Sequence, residues 1–222
     1  MLSWDRNDLD KLAKVHFENQ LLINSEELKE KYTKANRDLK DKIEVVEKCL
    51  KHLVHNKWDD MIHLWNITGF ILMISLDLKI YIESILFSEG YGKRELHFKN
   101  LCVLIYETSE DIEQLIGKSF FEICDKYEIS IDLIENLKTA KKKLSKFKND
   151  HSVSLKAVRT IIGAHRDHNF LLQSEIIRSF SLTAFVRIFT EFDVITNELS
   201  VPLEKINNEA VDKFIKILDS GK

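Results

Sequence analysis

Met61-Ile-His-Leu-Trp-Asn-Ile67-Thr-Gly-Phe-Ile-Leu-Met-Ile-Ser-Leu76 is the stretch on which the fold turns. From Trp58 to Phe87 the chain shifts sharply toward apolar residues, and Ile67 to Leu76 carries no charge. A membrane span needs about 18 or more such residues, and Asp77 and Lys79 interrupt this one too early. A helix that is apolar on every side and too short for a bilayer belongs in the middle of a helical core. Asp59 and Asp60 sit where a first helical turn favours acids, and Ser88-Glu-Gly-Tyr-Gly92 is the densest turn signal in the chain.

Amphipathic helices flank it on both sides. Over residues 7–23, Leu9, Leu12, Ala13, His16, Phe17 and Gln20 recur at three- and four-residue steps, the stripe of a first helix. Ser25, followed by Glu26 and Glu27, opens a highly charged helix to about His55, with Leu28, Tyr32, Ala35, Leu39, Ile43, Val46, Leu50 and Leu53 in near-heptad rhythm. Residues 94–107 and 109–127 form one long or two consecutive helices, with a re-capping point at Thr108-Ser109-Glu110-Asp111. Ser130 and Asp132 open a helix through Lys148, and Asn149-Asp-His-Ser152 reads as a polar break before a short helix over Leu155 to Ile162. Phe170 to Leu199 is another long helix, Pro202 is expected to stop it, and Glu204 to Leu218 closes the chain. The expectation is an all-α antiparallel bundle of about seven or eight helices, one helical domain over residues 1–222.

Composition agrees. Only six Gly and one Pro occur in 222 residues, too few for a turn-rich all-β fold, and 44% hydrophobic with 31% charged residues fills and covers a core. The net charge of −3 gives no global attraction to polyanions, so a nucleic-acid contact has to come from a local patch or from assembled subunits. The start of the chain lacks the basic flank and apolar run of a signal peptide, and cytoplasm is the expected compartment, with no membrane partner. Cys49, Cys102 and Cys124 have no CxxC or Cys-His spacing and read as buried thiols. His52, His55 and His63 lack a carboxylate at matching spacing, and no Gly-rich phosphate loop, nucleophile elbow or HExxH is present, so neither metal nor cofactor is expected.

The chemistry concentrates at Val158-Arg159-Thr-Ile-Ile-Gly-Ala-His165-Arg-Asp-His-Asn-Phe170. Two arginines, two histidines and an aspartate are costly in a bundle core unless paired, so this run belongs at a surface, cleft or subunit interface. On an ideal helix Arg159 and His165 are turned by about 240° and separated by about 9 Å, so distortion at Gly163, the reach of Arg159, or a second copy across a twofold axis has to bring them together. A His exchanges a proton near neutral pH and a guanidinium donates paired hydrogen bonds to phosphate, a combination suited to metal-free RNA cleavage. The structural alternative pairs Arg159 with an acid on a neighbouring helix and leaves His165 and Asp167 to fix the turn. Six lysines between Lys138 and Lys148 make either a solvated face or a phosphate-contacting one, with Lys141, Lys142, Lys143 and Lys146 as the RNA-contact candidates.

The Arg159-x5-His165 signature in an all-helical chain resembles the HEPN superfamily. The local run Arg159-Thr-Ile-Ile-Gly-Ala-His165-Arg-Asp is similar to its abortive-infection U-type subfamily, with an Ala-His-Arg-Asp run before a long helix. The resemblance covers about residues 58–199 in architecture, with helical extensions at both ends, and 158–168 in motif. It implies a homodimer in which both signatures meet, a metal-independent endoribonuclease of phage-defence or toxin–antitoxin type, RNA as substrate, and an antitoxin or regulatory protein as partner. Arg159 and His165 are then the catalytic pair, and Thr160, Arg166, Asp167 and His168 support it. Thr160 departs from the polar Asn, Asp or His common after the Arg in active members. The alternative is a catalytically silent helical module that binds a partner protein or RNA.

Overall fold

The computed structural model describes residues 24–87, 91–160 and 182–220, and over these it is all-helical. Six helices are described: α1 (Ser25–His55), α2 (Asp59–Phe87), α3 (Tyr91–Leu115), α4 (Lys118–Lys126), α5 (Ile131–Val158) and α6 (Leu182–Ser220). The expected count of seven or eight is not matched among the described residues. The helix expected over residues 7–23 lies outside them, and three expected breaks are absent.

Each missing break has a local cause. At Thr108 and Ser109 the hydroxyls donate back to the carbonyls of Leu104 (2.6 Å) and Tyr106 (2.8 Å), so the pair is satisfied inside α3 and does not cap a new helix. Across Asn149–Ser152 the buried stripe keeps its phase from Leu144 and Phe147 to Leu155 and Val158, with His151 at the intervening position against the Phe147 ring. Pro202 lies inside α6, between buried Leu199 and Leu203. The proline removes one helical hydrogen bond, but the fully buried Phe192, Leu199, Leu203, Ile206 and Ala210 maintain a continuous apolar face across it. The real boundary after α3 is Gly117, where a Cβ would lie 2.6 Å from the Gln114 carbonyl oxygen.

Two helix ends close on residues that are not glycine. Lys57 (φ 59°) and Glu128 (φ 49°) adopt the left-handed conformation. After α1, the Trp58 N–H reaches the Leu53 carbonyl and the Lys57 N–H that of Val54, both at 3.1 Å. After α4, Ile129 and Glu128 repeat the pattern to Cys124 (3.0 Å) and Asp125 (3.1 Å). These are Schellman closures, which satisfy the last carbonyls and turn the chain sharply back.

The packing follows from α2. It touches α1, α3 and α6, while α5 bridges α3 and α6, so α2, α3, α5 and α6 form a closed antiparallel ring with α1 outside. Buried Leu64, Ile67, Ile71, Leu78 and Ile82 of α2 meet Leu101, Ile105 and Ile112 of α3, Leu137, Leu144 and Phe147 of α5, and Phe192, Leu199 and Leu203 of α6 in one core. Lys79, which interrupts the apolar run, reaches both Asp193 carboxylate oxygens on α6 (2.9 and 3.0 Å). The eight apolar stripe positions of α1 are all half-buried or buried, and the opposite face carries Glu27–Lys31 and Glu47–Lys51 pairs at 2.6 Å. Gly69 brings α1 close, since a Cβ there would sit 3.1 Å from Val46 Cγ1. No helix among the described residues is long and apolar enough to cross a membrane.

Two substitutions test these local causes. Lys57→Gly removes the cost of a side chain in the left-handed region and raises stability by about 1 kcal/mol. Gly117→Ala drives a methyl into backbone and lowers it by about 1–3 kcal/mol. Urea unfolding of the two variants reads both, and opposite signs are expected.

Candidate functional site

Arg159 is the member of the predicted pair that the described residues include. It follows the last turn of α5 with helical backbone angles and is 34% exposed. Its Nε donates to Glu107 Oε1 on α3 at 2.7 Å, and its guanidinium carbon lies 6.0 Å from the centre of the Tyr106 ring. The pairing uses the Nε edge alone. Among the described residues the two terminal nitrogens of the fork, the groups that grip a phosphate, have no recorded hydrogen bond. Thr160 follows in the same helical path. His165, Arg166, Asp167 and His168 lie outside the described residues.

The helix pair that carries Arg159 is joined by a ladder of charge. α3 and α5 run antiparallel, so the acids of one meet the cations of the other. Beyond Glu107–Arg159, Lys148 bridges Glu110 (2.9 Å) and Glu113 (2.6 Å), Ser145 donates to Glu113 (2.5 Å), and Lys141 donates to the Ile116 carbonyl. Partial burial pushes the Glu113 carboxyl up, but the Lys148 and Ser145 hydrogen bonds outweigh it and hold it below the usual range. The same bonds to Glu113 and Glu110 raise the pKa of Lys148.

That ladder decides what the lysine-rich face offers. Lys138 is paired with Glu135 (2.9 Å), Lys143 with Glu198 of α6 (2.6 Å), and Lys141 and Lys148 are engaged as described. Of the four RNA-contact candidates, Lys142 and Lys146 are exposed with no recorded ion pair among the described residues, whereas Lys141 and Lys143 are tied within the chain. A phosphate has to displace an acid or a carbonyl to engage the tied ones. His151, one turn beyond Phe147 and Lys148, meets Glu191 of α6 at 3.2 Å.

The remaining candidates sort by burial. Cys102 and Cys124 are buried, and burial pushes both thiols up to about 12, so they are poor nucleophiles. His52 sits edge-on to Trp58, and no group of three or more metal-ligating side chains occurs among the described residues. Glu107 and Tyr106 were not legible as site residues. They stand 52 and 53 positions before Arg159, and only the antiparallel docking of α3 on α5 brings them together. Set against known families, curated proteins and solved structures, the chain has no significant match.

The charge ladder gives a pH-dependent signature. Lys148→Met is expected to cost about 1 kcal/mol at neutral pH, where both carboxylates are ionised and lose their partner. Glu113 has a depressed folded pKa, so its contribution is present above the ordinary carboxylate range and is lost as pH falls through the folded value. The gap between wild type and variant therefore narrows in acid. Urea unfolding at neutral pH and below about pH 4 checks this, and a constant gap contradicts it.

Proposed function

We propose that the chain is an HEPN-like helical protein of phage-defence or toxin type, a metal-independent endoribonuclease whose site combines Arg159 and His165 from two copies. The observation that carries the reading is the presentation of Arg159. A guanidinium at a helix end, gripped through Nε by Glu107 and backed by Tyr106, with its terminal nitrogens turned to no recorded partner among the described residues, is an oriented phosphate fork.

In that role Arg159 binds two non-bridging oxygens of the scissile phosphate and stabilises the charge that accumulates on the phosphorane. His165 takes the proton of the ribose 2′-hydroxyl or delivers one to the leaving 5′-oxygen. The attacking 2′-oxygen forms its bond to phosphorus as the bond to the 5′-oxygen breaks, leaving a 2′,3′-cyclic phosphate and a 5′-hydroxyl. Glu107 keeps the fork in one orientation, and Thr160, Arg166, Asp167 and His168 support the segment. Lys142 and Lys146 are the face lysines best available to neighbouring phosphates.

The second reading, a catalytically silent module that binds a partner protein, draws on the opposite aspect of the same contacts. Arg159 already has a carboxylate partner, and four lysines of the α5 face are engaged within the chain. An antitoxin or regulatory protein fits either reading.

The two separate on incubation with structured RNA in EDTA. Wild type is expected to cleave to cyclic-phosphate ends, and His165→Ala and Arg159→Ala each to lose about a hundredfold or more. Sedimentation is expected to show a dimer. Equal products from wild type and His165→Ala remove His165 from catalysis and leave the binding module.

A further inference from the structure

Lys156 is exposed in the last turn of α5, three residues before Arg159, and among the described residues its side chain has no recorded ion pair or hydrogen bond. On an ideal helix the two positions are turned apart by about 60° and separated by about 4.5 Å along the axis, so they are neighbours on one flank. Lys146 and Lys142, also exposed and without a recorded ion pair among the described residues, precede Lys156 by ten and fourteen residues. These three lysines and Arg159 fall within an arc of about 140° and spread over about 25 Å of α5. The single acid in that length, Asp150, is turned about 180° from Arg159. Lys141, Lys143 and Lys148 are engaged by neighbouring segments of the chain. Packing thus sorts the cations of α5 into those that hold the bundle and a file that faces solvent.

We infer that Lys142, Lys146 and Lys156 form a track for the phosphates of a single RNA strand that ends at the Arg159 fork, and that Lys156 holds the phosphate next to the scissile one. The track rests on the reading of Arg159 as a phosphate fork, and it gives that site a further binding residue and a substrate form. A chain of net charge −3 attracts no polyanion as a whole, so the attraction has to come from a local file such as this one. A length of about 25 Å takes about four nucleotides of extended strand, at the low end of single-strand binding sites. Cations in one file follow one backbone. Val153, 82% exposed between Lys146 and Lys156, offers an apolar contact to an unstacked base, which a duplex keeps inside its stack. The two end residues divide the work by their chemistry. The Lys156 ammonium is a point charge on a flexible stem and accepts its phosphate in any rotation, whereas the planar guanidinium of Arg159 aligns the one that reacts.

Fluorescence anisotropy of the full chain with labelled, fully 2′-O-methylated oligouridylates, which lack the attacking hydroxyl, measures the track apart from cleavage. Affinity is expected to rise steeply from three to six nucleotides and little from six to twelve. With the six-nucleotide probe, log Kobs is expected to fall against log salt with a slope of about −3, as four neutralised phosphates require. Lys156→Gln is expected to bring the slope to about −2 and to weaken binding about fivefold at 0.1 M salt. Lys40→Gln, at an exposed lysine of α1, is the control and is expected to change neither. On cleavable RNA, Lys156→Gln is expected to raise KM about fivefold and to leave kcat within about twofold. A slope and affinity unmoved by Lys156→Gln, or moved equally by Lys40→Gln, overturn the track, and so does a duplex of the same length binding as tightly as the single strand. If wild type still cleaves in that event, the nuclease reading stands without the track. If wild type binds as described but leaves cleavable RNA intact, the track stands as a binding surface and the nuclease reading goes.

Discussion

The architecture depends on one constraint: α2 has no polar face. Its buried positions from Met61 to Ile85 form one broad face that α1, α3 and α6 cover together, while Asn66, Met73, Asp77 and Ile80 lie on an exposed stripe. A face so wide needs more than one neighbour, and the ring of α2, α3, α5 and α6 follows from the need to cover it. The two charges that interrupt its apolar run are placed differently. Lys79 pairs with Asp193 across the α2–α6 seam, whereas Asp77 lies on the exposed stripe, where partial burial raises its pKa. The pair fixes the relative height of the two helices as much as it stabilises them.

Polar groups inside such a bundle are informative because the apolar packing does not need them. Along the α3–α5 seam they form a charge ladder whose last rung is Glu107–Arg159. Its length orients α5 against α3, and its end presents a guanidinium at a helix terminus. Along the α1–α2–α6 seam, by contrast, Asn207 donates to Thr68 in the buried interior and Lys42 meets Glu204 at the edge.

The helical class, the central place of residues 58–87 and the stripe of α1 were legible because each rests on hydrophobic period, which packing enforces directly. The helix ends were less legible, for a consistent physical reason. Thr108-Ser109, Asn149–Ser152 and Pro202 are local signals worth about 1–3 kcal/mol each. A stripe that stays in phase across them buries several large side chains and outweighs them. Gly117 was unmarked as a boundary because its effect is a close approach to the Gln114 carbonyl, visible only in three dimensions. The same holds for the site. Arg159 was singled out by its motif, whereas Glu107 and Tyr106 come to it only through helix pairing that no spacing along the chain encodes.

The position of α1 outside the ring has a consequence for how the molecule comes apart. Every ring helix touches two others in the ring, so removing one opens the core, while α1 can detach and leave all four ring seams intact. Detachment is therefore a sub-global event, with its own free energy below that of complete unfolding. It uncovers the flank of α2 around Gly69 and Trp65 in a single step, so the outer helix can open without dissolving the rest of the bundle.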